Sequence, residues 1–407
     1  MTLGTAGDVY PFIGLGKELR SRGHGVMLLA NENFGNVAVE NGLTFRTLIS
    51  REQTDALLGN PNNWHPIKSA QHGARWMVGV IDQTYEISAQ AITDPETVIL
   101  NYPAVFAGKL IHELQGNPLI SMVPMPWMLL SRVTPPKLAG PLNLPRNTPP
   151  FLVTGFWHLL EVVADQLVGP PVNKLRKQLG MRKISRIPRW SFSDRLTLGM
   201  FPDWYAPRQP DWPKSTEMVG FARFDGSDQK QIPAETLDFI DAGRKPIAIT
   251  FGTGMRYAKT MFENAARACT LLKRRAVLMT TTPSDLPTQL PETIHHCPFA
   301  PFGKLFQHCA AIVHHGGIGT TAQAIAAGIP QLIMPLAWDQ YDNADRVTRL
   351  KVGSSIKSSA SSRDLAFSLK QLLDTANGQA LAQYADQSDG QRSFKLAADK
   401  IEATRMD

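Results

Sequence analysis

The densest chemistry in the chain lies between Ala310 and Gly353, in AAIVHHGGIGTTAQAIAAGIPQLIMPLAWDQYDNADRVTRLKVG. An apolar run ends in His314-His315, a glycine turn follows, and a helix is expected to start near Gly319-Thr320-Thr321. Glycines let a backbone approach a ligand closely. The free N–H groups of a helix start, reinforced by the helix dipole, attract anions. His315 at the strand end can add a hydrogen bond to a phosphate oxygen. A plain strand-to-helix turn with a locally packed histidine uses the same residue types, but the density of the constellation favours the anion site. A second glycine turn, Thr250-Phe251-Gly252-Thr253-Gly254, can bring further N–H and hydroxyl donors to the same diphosphate. Neither turn reads G-x-G-x-x-G or G-x-x-x-x-G-K-[ST], so the dinucleotide and P-loop fingerprints are missing.

A third feature is Gly4-Thr5-Ala6-Gly7-Asp8-Val9-Tyr10-Pro11. Pro11 suits a first helical turn, and Leu15 and Leu19 then mark one apolar face. Asp8 is therefore expected just before a helix, at the mouth of a sheet. Two roles fit it there: an N-terminal cap, or a general base.

These segments need a scaffold, and the hydrophobic pattern supplies one. Short apolar runs at residues 26–30, 98–100, 119–123, 246–251, 276–279, 311–313 and 331–334 alternate with helical stretches such as Ala322 to Ala327, closed by Gly328 and Pro330. That alternation predicts an α/β fold, with strands buried on both faces of parallel sheets. The stretch from Phe201 to Pro233 is rich in Pro, Asp and Gly, has no clear period and marks a domain boundary. A length of 407 residues fits two domains of about 200 residues each. Two doubly wound domains are expected, with the cleft between them as the ligand site.

Bulk composition narrows the function classes. Apolar residues make up 43% and charged residues 19%, which excludes general disorder. The 3 cysteines, Cys269, Cys297 and Cys309, fit no disulfide framework or zinc spacing and read as small core residues in a reducing compartment. The net charge of +7 favours acidic partners: a phosphorylated substrate, an anionic membrane or nucleic acid. Only Lys273-Arg274-Arg275 is a tight basic cluster and no nucleic-acid signature is present, so no nucleic-acid partner is expected. The longest apolar stretch, Phe151 to Val168, carries His158, Glu161 and Asp165 and reads as an amphipathic helix rather than a membrane span. The opening MTLGTAGDVYPF has no secretory signal, so the expected location is cytoplasmic.

HHGG-x-GTT…AGIPQ…P…DQ, together with GT-x-GD-x-x-P, resembles the family 1 glycosyltransferases of GT-B fold over nearly the whole chain. The stretches Gly59-Asn60-Pro61-Asn62-Asn63-Trp64, Phe201 to Pro207, Asp211-Trp212-Pro213 and Phe224-Asp225-Gly226-Ser227 look most similar to bacterial rhamnolipid-type rhamnosyltransferases. The resemblance implies an acceptor-binding domain over 1–215, a nucleotide-sugar domain over 216–385, and a C-terminal helix at 386–407 that packs back on the first domain. It implies that His315, Gly317, Gly319 and Thr320 hold the donor diphosphate, with Thr253 and Gly254 on its other side. Phe299-Ala300-Pro301-Phe302 falls where the base is stacked and edge-read, Phe299 replacing the Trp of plant members; a core aromatic is the other reading. Asp339 and Gln340 match the pair that binds sugar hydroxyls; a helix cap plus a surface amide is the alternative.

Asp8 matches the family's base, which would take the acceptor's proton as the anomeric carbon is attacked. Two departures stand out. Gln323 replaces the ribose-binding Glu of plant members, and the family's first strand is usually longer than the three residues before Gly4. No D-x-D occurs, and neither metal nor other cofactor is expected. Trp64, Trp76 and Trp127, with Met122, Met125 and Met128, offer an apolar acceptor pocket, although ordinary core explains each. The expected activity is metal-independent, inverting transfer of rhamnose or glucose from a dTDP- or UDP-sugar to a lipid-like hydroxyl, at the inner face of the membrane. A nucleotide-sugar epimerase and a non-catalytic nucleotide-sugar-binding subunit are the alternatives.

Overall fold

Strands that run parallel need a long return connection, and the helical stretches between the apolar runs provide it. The computed structural model describes residues 1–407 except 140–141, 146–147, 227–229 and 405–407, so Ser227 lies outside the described residues. The chain divides into two compact units, residues 1–222 with 390–407, and residues 223–389. Both are α/β with parallel sheets, as the alternation of apolar runs predicts.

In the first unit β1 (Met27–Asn31) pairs with β2 (Thr44–Ile49). β3 (Ile99–Asn101), β4 (Leu119–Val123), β5 (Leu196–Gly199) and β6 (Thr216–Met218) form a four-stranded sheet in that order. Residues 1–3 run between the two sheets. The Thr2 amide donates to the Leu29 carbonyl (3.0 Å), the Met1 ammonium to Leu100 (2.6 Å), and the Tyr102 amide to Met1 (2.9 Å). Met1, Leu3, Leu29, Leu48, Ile99 and Leu119 share one core cluster around this junction. β6 belongs to this unit, so the division falls after residue 222 rather than after 215.

The second unit holds one six-stranded parallel sheet. Its strands are β7 (Ile247–Thr250), β8 (Ala276–Met279), β9 (Ile294–Cys297), β10 (Ala311–His314), β11 (Gln331–Ile333) and β12 (Gly353–Ser355). Their spatial order is β12-β11-β10-β7-β8-β9. The four residues of β7, β8 and β10 are all buried, which is why their sequences are continuous apolar runs. The three cysteines are free and buried, and burial pushes the Cys269 and Cys309 thiols up to about 12.

Two helices differ from expectation. The first, Ala6–Ser21, begins five residues before Pro11, which lies inside it rather than in its first turn. The long helix covers Pro150–Gln178, 29 residues rather than the 18 from Phe151 to Val168, and runs through Pro170 and Pro171. By length and composition it could cross a bilayer. Its first half is apolar on both sides: Val153 and Trp157 are buried together with Glu161, while Phe151, Leu152 and Leu159 are exposed. The C-terminal helix, Gly390–Thr404, lies on the first helix, where Gly14 leaves room for the Phe394 ring. Arg22 fastens the pair through Glu18 (2.9 Å), Asp399 (2.6 Å) and Glu402 (2.9 Å).

Candidate functional site

A doubly wound sheet binds ligands beyond the carboxyl ends of its strands, where the strand order reverses. In the second unit that point lies between β7 and β10, which pair from Ala311 with Ile247 to His314 with Thr250. The two glycine turns leave these paired ends side by side. Gly252 and Gly316 have φ of +86° and +94°, a region that favours glycine. The His315 ring lies between the turns: a Cβ on Gly252 would stand 2.7 Å from its Cε1, and one on Gly317 2.5 Å from its Nε2. Thr253 is exposed and Gly254 buried in the loop on the other side.

Gly317 is the N-cap of the helix Ile318–Ala326 and brings no side-chain acceptor to its first amides, including those of Ile318, Gly319 and Thr320. Gly319 is exposed and Thr320 buried. The helix starts at Ile318, one residue earlier than the expected Gly319. Burial pushes the His315 imidazole down to about 4 and that of His314 to about 3. Both rings are therefore neutral near pH 7. His314 is a structural residue, with Nε2 3.0 Å from the Gln331 Oε1. His315 Nδ1 is buried without a partner among the described residues.

Asp339 and Gln340 stand beside this turn. Asn343 Nδ2 donates to the Gly316 carbonyl (2.8 Å) and to Asp339 Oδ2 (2.6 Å), joining the glycine turn to the acidic residue. Gln340 is buried rather than a surface amide; its Oε1 accepts from the amides of Leu336 (2.8 Å) and Ala337 (3.1 Å). Asp339 occupies the N-cap position of the helix Gln340–Arg349 without a side-chain cap bond. Before it, Trp338 has φ +60°, unusual for a bulky residue. Asn343 and Trp338 are functional candidates that local sequence did not single out. Four-residue spacing from Asp339 is the one sequence signal for Asn343.

Phe299 is 40% exposed, with Lys230 Nζ 4.8 Å from its ring centroid, so it is a surface ring rather than a core aromatic. Pro301 is buried and starts the short helix Phe302–Leu305. Asp225 ties this loop to the glycine-turn helix. Its Oδ2 accepts from the Gly303 amide (2.9 Å), and its Oδ1 from Gln323 Nε2 (2.9 Å). Burial raises the Asp225 carboxyl above the ordinary range, against the lowering effect of the Gly303 amide and Arg223. Gln323 is thus held by an aspartate, an arrangement invisible in its own sequence neighbourhood.

In the first unit residues 1–3 bridge the C-terminal parts of β1 and β3 through backbone bonds to Leu29, Leu100 and Tyr102. Asp8 lies at that point, in the third position of the first helix. Its Oδ2 accepts from the Thr5 amide (2.8 Å) and hydroxyl (3.1 Å), and its Oδ1 from the Tyr102 hydroxyl (3.2 Å). The helix-start role is therefore real, and it leaves Asp8 half-buried. Desolvation raises its carboxyl above the ordinary range, opposed by the Thr5 and Tyr102 bonds. Gly4 has φ +138°, and a Cβ there would stand 2.3 Å from Asp8 Oδ2. The glycine of the motif thus makes space for the carboxylate.

The acceptor candidates sit on separate elements. Trp64 Nε1 donates to the Leu58 carbonyl (2.8 Å) at the turn Pro61–Trp64. Trp76 packs against the core cluster of Met1, Leu3 and Leu29, so core packing accounts for it. Trp127 lies in the turn Pro126–Met128. Met122 and Met125 are buried, as the core reading of them expects. Among the described residues no cluster of three or more His, Cys, Asp or Glu could hold a metal ion.

Residues 1–134 match the glycosyltransferase family 28 N-terminal domain, and residues 276–393 the erythromycin biosynthesis protein CIII-like C-terminal domain. The chain is 27% identical over 377 residues to a sterol 3-beta-glucosyltransferase of Leptosphaeria maculans, covering 88% of this chain and 25% of that protein. A sterol 3-beta-glucosyltransferase of Arabidopsis thaliana is 25% identical over 372 residues, covering 87% of this chain and 58% of that protein. The chain thus spans about a quarter of the first relative and under two thirds of the second. The expected closeness to rhamnolipid-type enzymes is not supported, because the curated relatives matched are named for sterol glucosylation. Among solved structures, the calicheamicin glycosyltransferase CalG4 superposes with TM-score 0.71 at 18% identity, over 99% of this chain and 96% of that one. The glycosyltransferase SnogD from Streptomyces nogalater gives 0.69 at 20% identity, over 99% and 98%. At such identities the likeness bears on the fold alone.

Proposed function

We propose that this chain, which belongs to the family 1 glycosyltransferases and has their GT-B fold, moves a sugar from a UDP- or dTDP-sugar to the hydroxyl of a hydrophobic, sterol-like acceptor. Glucose is the first candidate sugar, from the names of the relatives. The observation that carries the reading is the neutral His315 ring, held between Gly252 and Gly317 at the amide-rich start of a helix. Such a cradle suits a diphosphate leaving group: N–H donors and the helix dipole offset its charge as the glycosidic bond breaks. That is the reason for proposing transfer without metal or other cofactor. Phe299 offers a face for the base, and Asp339 with Gln340 would meet sugar hydroxyls.

Asp8 is proposed as the base for the acceptor hydroxyl. Its raised carboxyl makes it a better base than an ordinary aspartate with a pKa of about 3.9. One in-line displacement, with the base on the acceptor side, inverts the anomeric centre. A cytoplasmic location at the inner membrane face fits a lipid-like acceptor. The test is transfer assayed with a panel of donors and sterol-like alcohols. Asp8→Asn should lose about 10²–10⁴-fold in turnover yet keep donor affinity. Wild-type turnover by that variant would remove Asp8 from the mechanism, and product formed from donor alone would indicate an epimerase instead.

A further inference from the structure

We infer that the first half of the long helix Pro150–Gln178, with the basic segment that follows it, is a docking surface for an anionic lipid bilayer. The inference rests on the reading of a lipid-like acceptor and names the element that would meet the membrane. Phe151, Leu152, Leu159, Val162 and Val163 are all exposed, Phe151 at 73% and Leu159 at 59%. At 3.6 residues per turn these five fall within an arc of about 120°. The opposite face carries Val153, Trp157 and Glu161, all buried.

Specific contacts draw the carboxylates of the helix inward. Glu161 Oε1 accepts from Arg189 Nε (2.8 Å) and Nη2 (2.6 Å), and Glu161 Oε2 lies 3.7 Å from Arg132 Nη2. Asp165 accepts from the amides of Arg186 and Ile187, the latter at 2.7 Å. Both carboxylates of this half are thus turned to the protein. An ordinary surface helix buries its apolar residues and exposes its charges. Here the outward stripe is apolar and uncharged, the composition of a helix lying in a membrane interface.

Charge selects the kind of surface. From Gln166 to Ser193 the chain has no Asp or Glu. Exposed Lys174, Lys177, Arg182, Lys183, Arg186 and Arg189 lie in that stretch. The Asp165 contacts fix the backbone at Arg186 near the helix, whereas the Glu161 contacts hold Arg189 on the side away from the stripe. A second copy docked by a two-fold axis would bring two such basic flanks together, whereas an anionic bilayer meets stripe and flank with complementary chemistry. The helix lies on the bilayer rather than through it. Its second half packs Val168, Val172 and Leu175 against Phe106, Leu110 and Ile187, a core that would open if the helix left the unit.

The test is sedimentation of the full chain with phosphatidylcholine vesicles, with and without phosphatidylserine. Wild type should sediment with the anionic vesicles and be released by high salt. The double variant Leu159→Asp/Val162→Asp should bind at least about tenfold more weakly, and so should Arg182→Glu/Lys183→Glu. In wild type, vesicles should slow hydrogen exchange over 150–163; this readout needs no variant. Transfer to a detergent-solubilised alcohol should be unchanged in the Asp variant. Wild type remaining in the supernatant overturns the inference, as does a dimer that the Asp variant dissociates. Vesicle binding with no transfer to any alcohol would instead count against the proposed function and leave the docking surface standing.

Discussion

At the scale of single residues, the site is legible wherever the backbone itself demands a residue type. Gly4, Gly252 and Gly317 mark places where a Cβ would strike Asp8 or His315, so this site requires glycine there. Asp225 and Trp338 are not legible, because their roles come from partners far along the chain or from a backbone angle that no spacing encodes; Asn343 shows only its helical spacing from Asp339. The sequence around Asp8 suits either cap or base, and the two are compatible in the geometry: the bonds from Thr5 that start the helix also fix the carboxylate. A pH profile separates the contributions. Burial raises the Asp8 carboxyl, and a base must be deprotonated to act, so kcat/KM should fall as pH drops through a value above about 3.9. The Tyr102 hydroxyl favours the charged form, so Tyr102→Phe should move that acid limb to higher pH. An acid limb that stays put or moves down in this variant would show that Asp8 is not the titrating base.

At the scale of elements, strands buried on both faces were readable as apolar runs, and strands at sheet edges were not. β2, β6, β9 and β12 each end a sheet, and none appears as a continuous apolar run; β1 and β3 do, and residues 1–3 cover their other sides. β2 reads TFRTLI, exposed or half-buried over its first four residues, because an edge strand has one neighbour and a wet flank. The first helix begins before Pro11 because Thr5 and Asp8, rather than the proline, set its start. The contact between that helix and the C-terminal helix was foreseen only as a packing, without its pair of residues. A Cβ on Gly14 would stand 2.3 Å from the Phe394 Cζ, so the two positions should be coupled. Phe394→Ala should destabilise the first unit by about 3 kcal/mol through the cavity it leaves. Gly14→Ala should destabilise wild type through the clash. In the Phe394→Ala background it should be neutral or stabilise by up to about 1 kcal/mol, because alanine is the better helix former. Urea unfolding of the four proteins checks this cycle, and simple additivity would show that the two side chains do not share the contact.

At the scale of the whole molecule, alternating apolar and helical segments fix two α/β units, but not the route of the chain between them. The first unit is built from both ends of the sequence, residues 1–222 and 390–407, whereas the second is one continuous stretch, 223–389. Short-range patterns carry no record of that return, since it depends on contacts such as Arg22 with Asp399 across most of the chain. The asymmetry has a consequence for the donor site. Every donor candidate, from Thr253 to Gln340, lies inside the continuous unit, as do Asp225, Gln323 and Asn343. That unit has its own six-stranded sheet and a core that includes Ile240, Ala248, Val277, Leu305 and Phe306. A fragment of residues 223–389 should therefore fold cooperatively. It should bind UDP or dTDP within about tenfold, or 1.4 kcal/mol, of the full chain, while transferring no sugar. Calorimetry on fragment and full chain compares the two directly. A folded fragment that fails to bind a nucleotide the full chain binds would mean that the cradle around His315 is not the principal donor site.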